Sequence, residues 1–136
     1  MTYALSGPLQ TAIFSVLAGK TDLTNFVGDS IFDHAPSGQI PGTYLSIGEE
    51  SVKDASDLTC PGAIHEFVVT VVSDEPGFST AKIVAGHVSE ALANSNPPMS
   101  RGRIVSINFM RARAQRTRAD ARRRIDLRFR IRTEDI

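Results

Sequence analysis

Apolar residues recur at helical spacing in two stretches of the chain. The first opens with Ser6 and Pro8, a capping residue and a proline suited to the first turn, and Gly19 closes it. The second follows the turn sequence at 74–77 and ends before a run of Asn and Pro. The apolar positions are Leu5, Leu9, Ala12, Ile13, Val16 and Leu17 in the first stretch, and Ala81, Val84, Ala85, Val88, Ala91 and Leu92 in the second. This spacing predicts two amphipathic helices. Leu23, Phe26 and Val27 predict one further short turn.

Several other segments have the composition of strands. Residues 64–73 are apolar on both faces, which predicts a central strand with both faces at least partly covered. Shorter strands are predicted at 31–32 and 43–47, and another at 103–109 that faces inward through Val105, Ile107 and Phe109.

Two polar segments separate these strands. Residues 49–61 are acidic and show no periodicity, so we expect a surface excursion there. Residues 110–121 contain no large apolar side chain after Met110, which predicts a solvated hairpin connection.

The clearest alternation lies in the last strand, from Ala121 to Thr133. Ile125, Leu127, Phe129 and Ile131 occupy every second position and should face the core. The opposite face should carry Arg122, Arg124, Asp126, Arg128, Arg130 and Arg132. Together, these elements predict an α+β fold, a two-layer sandwich of a mostly antiparallel sheet packed against two main helices, with a long C-terminal β-hairpin. At 136 residues, the chain is expected to form one domain over 1–136.

Charge is divided sharply along the chain. The formal net charge is zero, yet residues 1–100 contain three lysines and eleven carboxylates, whereas residues 101–136 contain twelve arginines and four carboxylates. The use of Arg without Lys in this tail favours contacts with carboxylates, phosphates or aromatic rings, which the planar guanidinium matches.

No constellation of residues indicates an active site. Asp33-His34 lacks a nucleophile at useful spacing, so the aspartate is expected to cap a loop rather than to catalyse. The other histidines, His65 and His87, are isolated, and the acidic segment at 49–57 lacks the oxygen spacing of a calcium loop. We therefore expect no enzyme activity, no metal and no cofactor.

Cysteine content and hydropathy indicate the expected redox environment and the relation to membranes. The one cysteine, Cys60, excludes an internal disulfide, and a reduced intracellular environment is expected. No stretch approaches the roughly 18 apolar residues of a membrane span, so no membrane contact is expected.

The arginines have two interpretations. Charge on the outer face of an edge hairpin discourages aggregation, which would account for one or two of them. Like charges two residues apart on one strand face lie roughly 7 Å apart and repel, so a longer row calls for a countercharge. That countercharge could come from nucleic acid, from another protein, or from the acidic part of a second copy. The candidate interface residues are Arg122, Arg124, Arg128, Arg130 and Arg132, and the hairpin connection adds Arg111, Arg113, Arg116 and Arg118.

Ile31-Phe32-Asp33 with Pro36 is followed by Pro41 and then by Tyr44-Leu45-Ser46-Ile47-Gly48. With this pairing as its most specific part, the chain resembles the small tail-terminator (tail-completion) proteins of long-tailed phages and of phage-derived gene transfer agents. The resemblance continues through the opening helix at Leu9–Ile13, the strand leading into Val72–Gly77, and the final arginine-bearing strand.

The resemblance implies a structural protein that assembles as a homohexameric ring. Such a ring caps the tail tube, stops its polymerisation and joins the tail to a head–neck connector or stopper protein, and DNA passes through its lumen as cargo. It also implies assembly in the bacterial cytoplasm and a position at the head–tail junction. In such a ring, Arg111, Arg113, Arg116 and Arg118 are the candidates to face the lumen or to contact the tube. The alternative from another class is a small nucleic-acid-binding module that uses the arginine-rich hairpin. The neutral net charge and the few aromatic residues near that hairpin, Phe109 and Phe129, count against it.

Overall fold

The computed structural model describes residues 2–33, 41–93, 95–117 and 122–136. Most of the loop between Asp33 and Gly42 lies outside these ranges, as do His34, Pro36 and Arg118. The described elements are helices α1 (Ser6–Ala18), α2 (Thr21–Val27) and α3 (Ser79–Ala93), and strands β1 (Ile31–Phe32), β2 (Thr43–Asp54), β3 (Gly62–Ser73), β4 (Arg103–Arg116) and β5 (Arg123–Glu134).

The strands form a sheet in the order β1-β2-β3-β5-β4. The β1–β2 pair is parallel, and the other three neighbouring pairs are antiparallel. The buried apolar residues of the three helices join those of one sheet face in a single hydrophobic cluster that includes Val69, Leu127 and Phe129. The predicted α+β architecture with a long C-terminal hairpin is confirmed.

The helices follow the predicted apolar spacing. In α1 the buried apolar residues are Leu9, Ala12, Ile13 and Leu17, and in α3 the whole predicted stripe is buried. The short α2 is followed by Gly28, whose φ of 58° lies in a region that residues with a Cβ rarely adopt. That glycine lets the chain turn from α2 into β1.

Strand β5 confirms the alternation that the sequence predicts. Ile125, Leu127, Phe129 and Ile131 are at most 3% exposed, and Arg124, Asp126, Arg128, Arg130 and Arg132 occupy the other face. Phe129 is completely buried, with ring centroids of Phe67 and Phe109 at 5.6 and 5.9 Å. Its strand therefore anchors the hairpin to the core.

The prediction that residues 49–61 form a surface excursion is wrong for residues 49–54. Strand β2 continues to Asp54 beyond an irregularity in its register between Ile47 and Glu50. A bulge shifts the side-chain alternation, which hides the strand from a period-two search. Only the residues after Asp54 form the connection to β3.

Strand β4 was predicted too short. It continues to Arg116, so Arg111, Arg113 and Arg116 belong to a strand and not to a loop. Most side chains in this outer half are exposed, which is why the sequence there lacks apolar alternation. Val105 was also predicted to face inward, but a register shift between Ile104 and Ser106 leaves it 45% exposed, while Ile104 is buried. Phe109 faces Phe129, with 5.9 Å between the ring centroids, yet it is 47% exposed.

Candidate functional site

We call the face of the sheet opposite the helices the helix-free face, and it carries the row of arginine side chains of β5. Its central strand contributes Ile64, Val68 and Val72, which are buried but do not belong to the cluster that includes the helices. The in-register neighbours on β5 are Arg132, Arg130, Arg128, Asp126 and Arg124, and those beyond them on β4 are Ser106, Asn108, Arg111, Arg113 and Gln115.

Arginine side chains flank the apolar stripe of β3 on this face. Val68 lies opposite Arg128, and Val72 lies between Arg124 and Tyr44. Val68 and Val72 are only 8% and 6% exposed. The aliphatic stem of an arginine packs along apolar surface while its guanidinium stays in water, which accounts for this burial without a covering helix.

A cavity of about 340 Å³ lies on the helix-free face. Its lining comes from four strands: Tyr44, Ser46, Gly48 and Glu49 of β2; Val68, Thr70 and Val72 of β3; Arg124, Asp126 and Arg128 of β5; and Arg111, Arg113 and Gln115 of β4. The cavity thus has an apolar floor on β3 and four arginines on the β4–β5 side. An arrangement of this kind suits an anionic group rather than a neutral one.

Asp126 neutralises one end of the arginine cluster. Its carboxylate accepts hydrogen bonds from Arg124 Nε, at 3.0 and 3.2 Å, and from Thr70 Oγ1, at 2.7 Å. Arg113 lies directly opposite Asp126 on the neighbouring strand. The charge at this end of the cavity is therefore partly balanced within the subunit.

The other end lacks such a hydrogen-bonded balance, although Glu66 of β3 lies directly opposite Arg130. Arg111 lies directly opposite Arg128. Within the described residues, neither guanidinium takes part in a hydrogen bond or an ion pair, and the same holds for Arg113 and Arg130. Like charges directly opposite one another on neighbouring strands are destabilising. This end of the face has unused capacity for an external anion.

The remaining members of the two predicted arginine sets have other surroundings. Arg122 Nη1 donates to the Pro41 carbonyl at 2.7 Å, and Arg132 Nη2 donates to the Ala55 carbonyl at 3.3 Å. Arg116 lies opposite Arg123, whose guanidinium sits 5.7 Å from the ring of Phe78 on the helix side of the sheet. The structure thus brings Arg111 and Arg113 together with Arg124 and Arg128, and it separates Arg116 from them. Arg118 lies outside the described residues.

Sequence reasoning missed a second polar cluster, at the other end of the sheet. The imidazole of His65 is fully buried between Glu50 Oε2, at 3.3 Å from Nδ1, and Thr133 Oγ1, at 3.0 Å from Nε2. Glu50 Oε1 also accepts hydrogen bonds of 2.6 Å from Tyr3 and from Ser6. The cluster therefore ties the start of α1 to strands β2, β3 and β5.

The pKa values in this cluster follow from burial and hydrogen bonding. Burial lowers the pKa of His65, and the hydrogen bond to Glu50 offsets only part of that effect. Burial raises the pKa of Glu50, but hydrogen bonds from Ser6, Tyr3 and His65 outweigh it and hold the pKa below its usual value. Because its side chains are hydrogen-bonded to one another across α1, β2, β3 and β5, the cluster is suited to stabilising the fold.

Two further observations concern metals and membranes. Among the described residues, no group of three or more His, Cys, Asp or Glu side chains is arranged to hold a metal ion. Nor is any helix in the described ranges long and apolar enough to cross a bilayer.

The comparisons with protein-family models and with solved structures agree with each other. The family model described as "Tail completion protein gp17" matches residues 11–134. Among solved structures, a chain of "Virion of native gene transfer agent (GTA) particle" is 46% identical, and the match covers 98% of this chain and 99% of that one, with a TM-score of 0.90. The comparison with curated protein sequences gave no significant match.

Proposed function

The chain belongs to the tail completion protein family, and from this premise we propose that it is a non-enzymatic tail terminator that forms a ring on the end of a tail tube. The match to a family model over residues 11–134 carries the proposal. The solved relative comes from a gene transfer agent virion and aligns over nearly its full length, which supports a place in a particle of that type. The proposed unit is the whole chain, 1–136, as one tail-terminator-like domain.

The proposed mechanism is steric. A ring of six copies covers the growing end of the tube with a surface that the next tube subunit cannot use, and polymerisation stops. The opposite surface of the ring then receives a head–neck connector or stopper protein, and DNA passes through the lumen as cargo. Assembly takes place in the bacterial cytoplasm, and the finished ring lies at the head–tail junction.

The arginines of the helix-free face supply contacts outside the subunit. Arg128 and Arg130 have no hydrogen-bonding or ionic partner among the described residues, so their guanidinium groups are available to carboxylates of a neighbouring copy or of the tube. Arg122, Arg124 and Arg132 already bind groups of their own subunit and have a supporting role at this interface. Of the hairpin set, Arg111 and Arg113 border the same cavity, whereas Arg116 and Arg118 are assigned to the lumen or the tube.

A charge reversal tests this function. The double variant Arg128→Glu and Arg130→Glu should fold normally but should fail to cap tubes, and particles assembled with it should have overlong or headless tails. Lys82→Glu, an exposed charge reversal on α3, is the matched control and should cap normally. Light scattering of the wild-type protein, free and on purified tail tubes, should give a mass near six subunits.

The same samples test the nucleic-acid alternative. A DNA-binding module would bind DNA as an isolated subunit, with log K falling against log salt by about 0.9 per phosphate contacted. Such binding, together with normal tails from the doubly reversed variant, would overturn the proposed function. A wild-type protein that is monomeric both free and on tubes would also overturn it.

A further inference from the structure

The order of the strands separates the two charges of the chain in space. Strands β2 and β3 carry Lys53 against Glu49, Glu50, Asp54 and Glu66, whereas β4 and β5 carry nine arginines against Asp126 and Glu134. Because the sheet runs β1-β2-β3-β5-β4, the acidic part lies towards the β1 edge and the basic part lies at the β4 edge. Each subunit therefore has two sides of opposite charge.

The basic side also exposes apolar surface. Val105, Phe109 and Met110 on β4 are 45%, 47% and 46% exposed, and Arg111 and Arg113 follow them directly. Aromatic, Met and Arg side chains are the types enriched in protein interfaces, where an apolar centre is surrounded by a polar rim. We call residues 105–113 the basic edge.

Two register irregularities make this edge unsuited to simple strand addition. They lie between Ile104 and Ser106 and between Phe109 and Arg111. Bulges twist an edge strand away from the regular ladder that a further strand would need. Contacts at the basic edge are therefore expected to come mainly from side chains.

The opposite side offers a matching surface in the segment from α2 to β1, residues 21–32, which we call the acidic edge. Phe26 is 42% exposed, and its ring centroid lies 6.1 Å from that of His87. Asp22 and Asp29 are exposed, and residues 21–32 contain no arginine or lysine, although Lys20 directly before them lies 3.8 Å from the Asp22 carboxylate. The side chain of Asp29 has no hydrogen-bonding or ionic partner among the described residues.

We propose that copies of this chain contact one another head to tail, with the basic edge of one copy on the acidic edge of the next. This inference rests on the ring proposed above and assigns the two surfaces that build it. An isologous contact would place Arg111, Arg113 and Arg128 of two copies together and would be repelled, whereas the heterologous contact pairs arginines with aspartates. It also joins the exposed Phe109 and Met110 to the exposed Phe26. Repetition of one heterologous contact closes into a ring when the rotation between copies allows it.

Two variants, each changed at one edge only and called one-sided variants, test whether these two edges form the contact. The basic-edge variant carries Met110→Asp and Arg111→Glu, and the acidic-edge variant carries Phe26→Ser and Asp29→Asn, so the two altered edges do not form a new pair of opposite charges. Each variant keeps one edge intact, so each alone should sediment as a monomer, with self-association weakened about 100-fold or more. An equimolar mixture should form a one-to-one dimer and grow no further, because only one intact pair of edges remains. If the wild type assembles only on tail tubes, the same variants are compared for rings on tube ends.

Controls separate folding defects from lost contacts. Leu58→Asp and Glu75→Arg change exposed side chains on other surfaces and should assemble like the wild type. Arg111→Glu alone places a carboxylate opposite Arg128, so it should remain folded by circular dichroism while association weakens. Wild-type assembly by either one-sided variant, or a mixture that stays monomeric, would overturn the two-edge contact while leaving the proposed ring intact. A wild type that never assembles, free or on tubes, would overturn the proposed function itself.

Discussion

Arg111 on β4 lies directly opposite Arg128 on β5, and neither has a hydrogen-bonding or ionic partner within the described residues. Side chains opposite one another on neighbouring antiparallel strands have Cβ atoms about 5 Å apart, well within the Debye length at physiological ionic strength. The pair is therefore unfavourable in the isolated subunit. An anionic group from outside would relieve this repulsion, which links the local geometry to assembly.

The first prediction follows from that repulsion. Arg111→Glu should raise the free energy of unfolding of the monomer by about 0.2–1 kcal/mol, because it replaces a like-charge pair by an opposite-charge pair. Urea denaturation at low and high salt measures the change, which should shrink as salt screens the charges. A loss of more than 1 kcal/mol would show that Arg111 has a stabilising contact in the subunit.

The second prediction concerns the two faces of β5. Phe129→Ala removes a fully buried ring that packs against Phe67 and Phe109, and it should cost about 3–5 kcal/mol. Arg130→Ala, on the helix-free face next in sequence, should change monomer stability by well under 1 kcal/mol. Chemical denaturation compares the two, and equal losses would mean that the burial assigned to the strand is wrong.

The third prediction concerns acid stability through His65 and Glu50. The pKa of His65 is lower in the folded protein than its ordinary 6.5, so the unfolded chain binds more protons as pH falls below about 6.5. The pKa of Glu50 is lower than its ordinary 4.5, so a second loss begins below about 4.5. Both effects have the same sign, and stability should fall as the solution is acidified through each range.

A substitution isolates the histidine contribution. His65→Gln cannot gain a proton, so its free energy of unfolding should vary less with pH between about 6.5 and 5 than that of the wild type. Urea midpoints at several pH values measure the two slopes. Identical slopes would show that protonation of His65 does not contribute to acid unfolding.

The fourth prediction uses two glycines with opposite surroundings. Gly102 has a φ of 70°, and a Cβ placed there would lie 2.6 Å from the Glu134 carbonyl oxygen. Gly102→Ala should therefore destabilise the protein by more than about 1 kcal/mol. Gly86 lies within α3, where an added Cβ meets nothing within 4 Å, so Gly86→Ala should stabilise by about 0.5–1 kcal/mol. Thermal denaturation gives both signs, and a neutral Gly102→Ala would contradict the close approach.

The sequence predicted those helices and strands whose apolar residues recur at regular spacing. The spacing of apolar residues in α1 and α3 and the alternation along β5 depend only on helix and strand geometry, and the structure confirms them. The second half of β2 and the outer half of β4 escaped prediction, because register shifts and solvent exposure remove the apolar alternation.

The neighbours of the arginines depend on the pairing of strands, which brings together residues that are distant in the sequence. The row on β5 was predictable, but the approach of Arg111 to Arg128 required the register of β4, which a shift after Phe109 determines. Likewise, Glu50, His65 and Thr133 are distant in sequence and meet only through the pairing of three strands. No spacing signal identifies such a cluster.

Growth of purified tail tubes with and without this protein, followed by electron microscopy, tests capping most directly. We expect a ring on one end of each tube and a tube length that stops increasing once the protein is added, while the Arg128→Glu, Arg130→Glu variant leaves growth unchanged. Tubes that keep growing in the presence of the folded wild-type protein, with no ring at either end, would contradict this expectation.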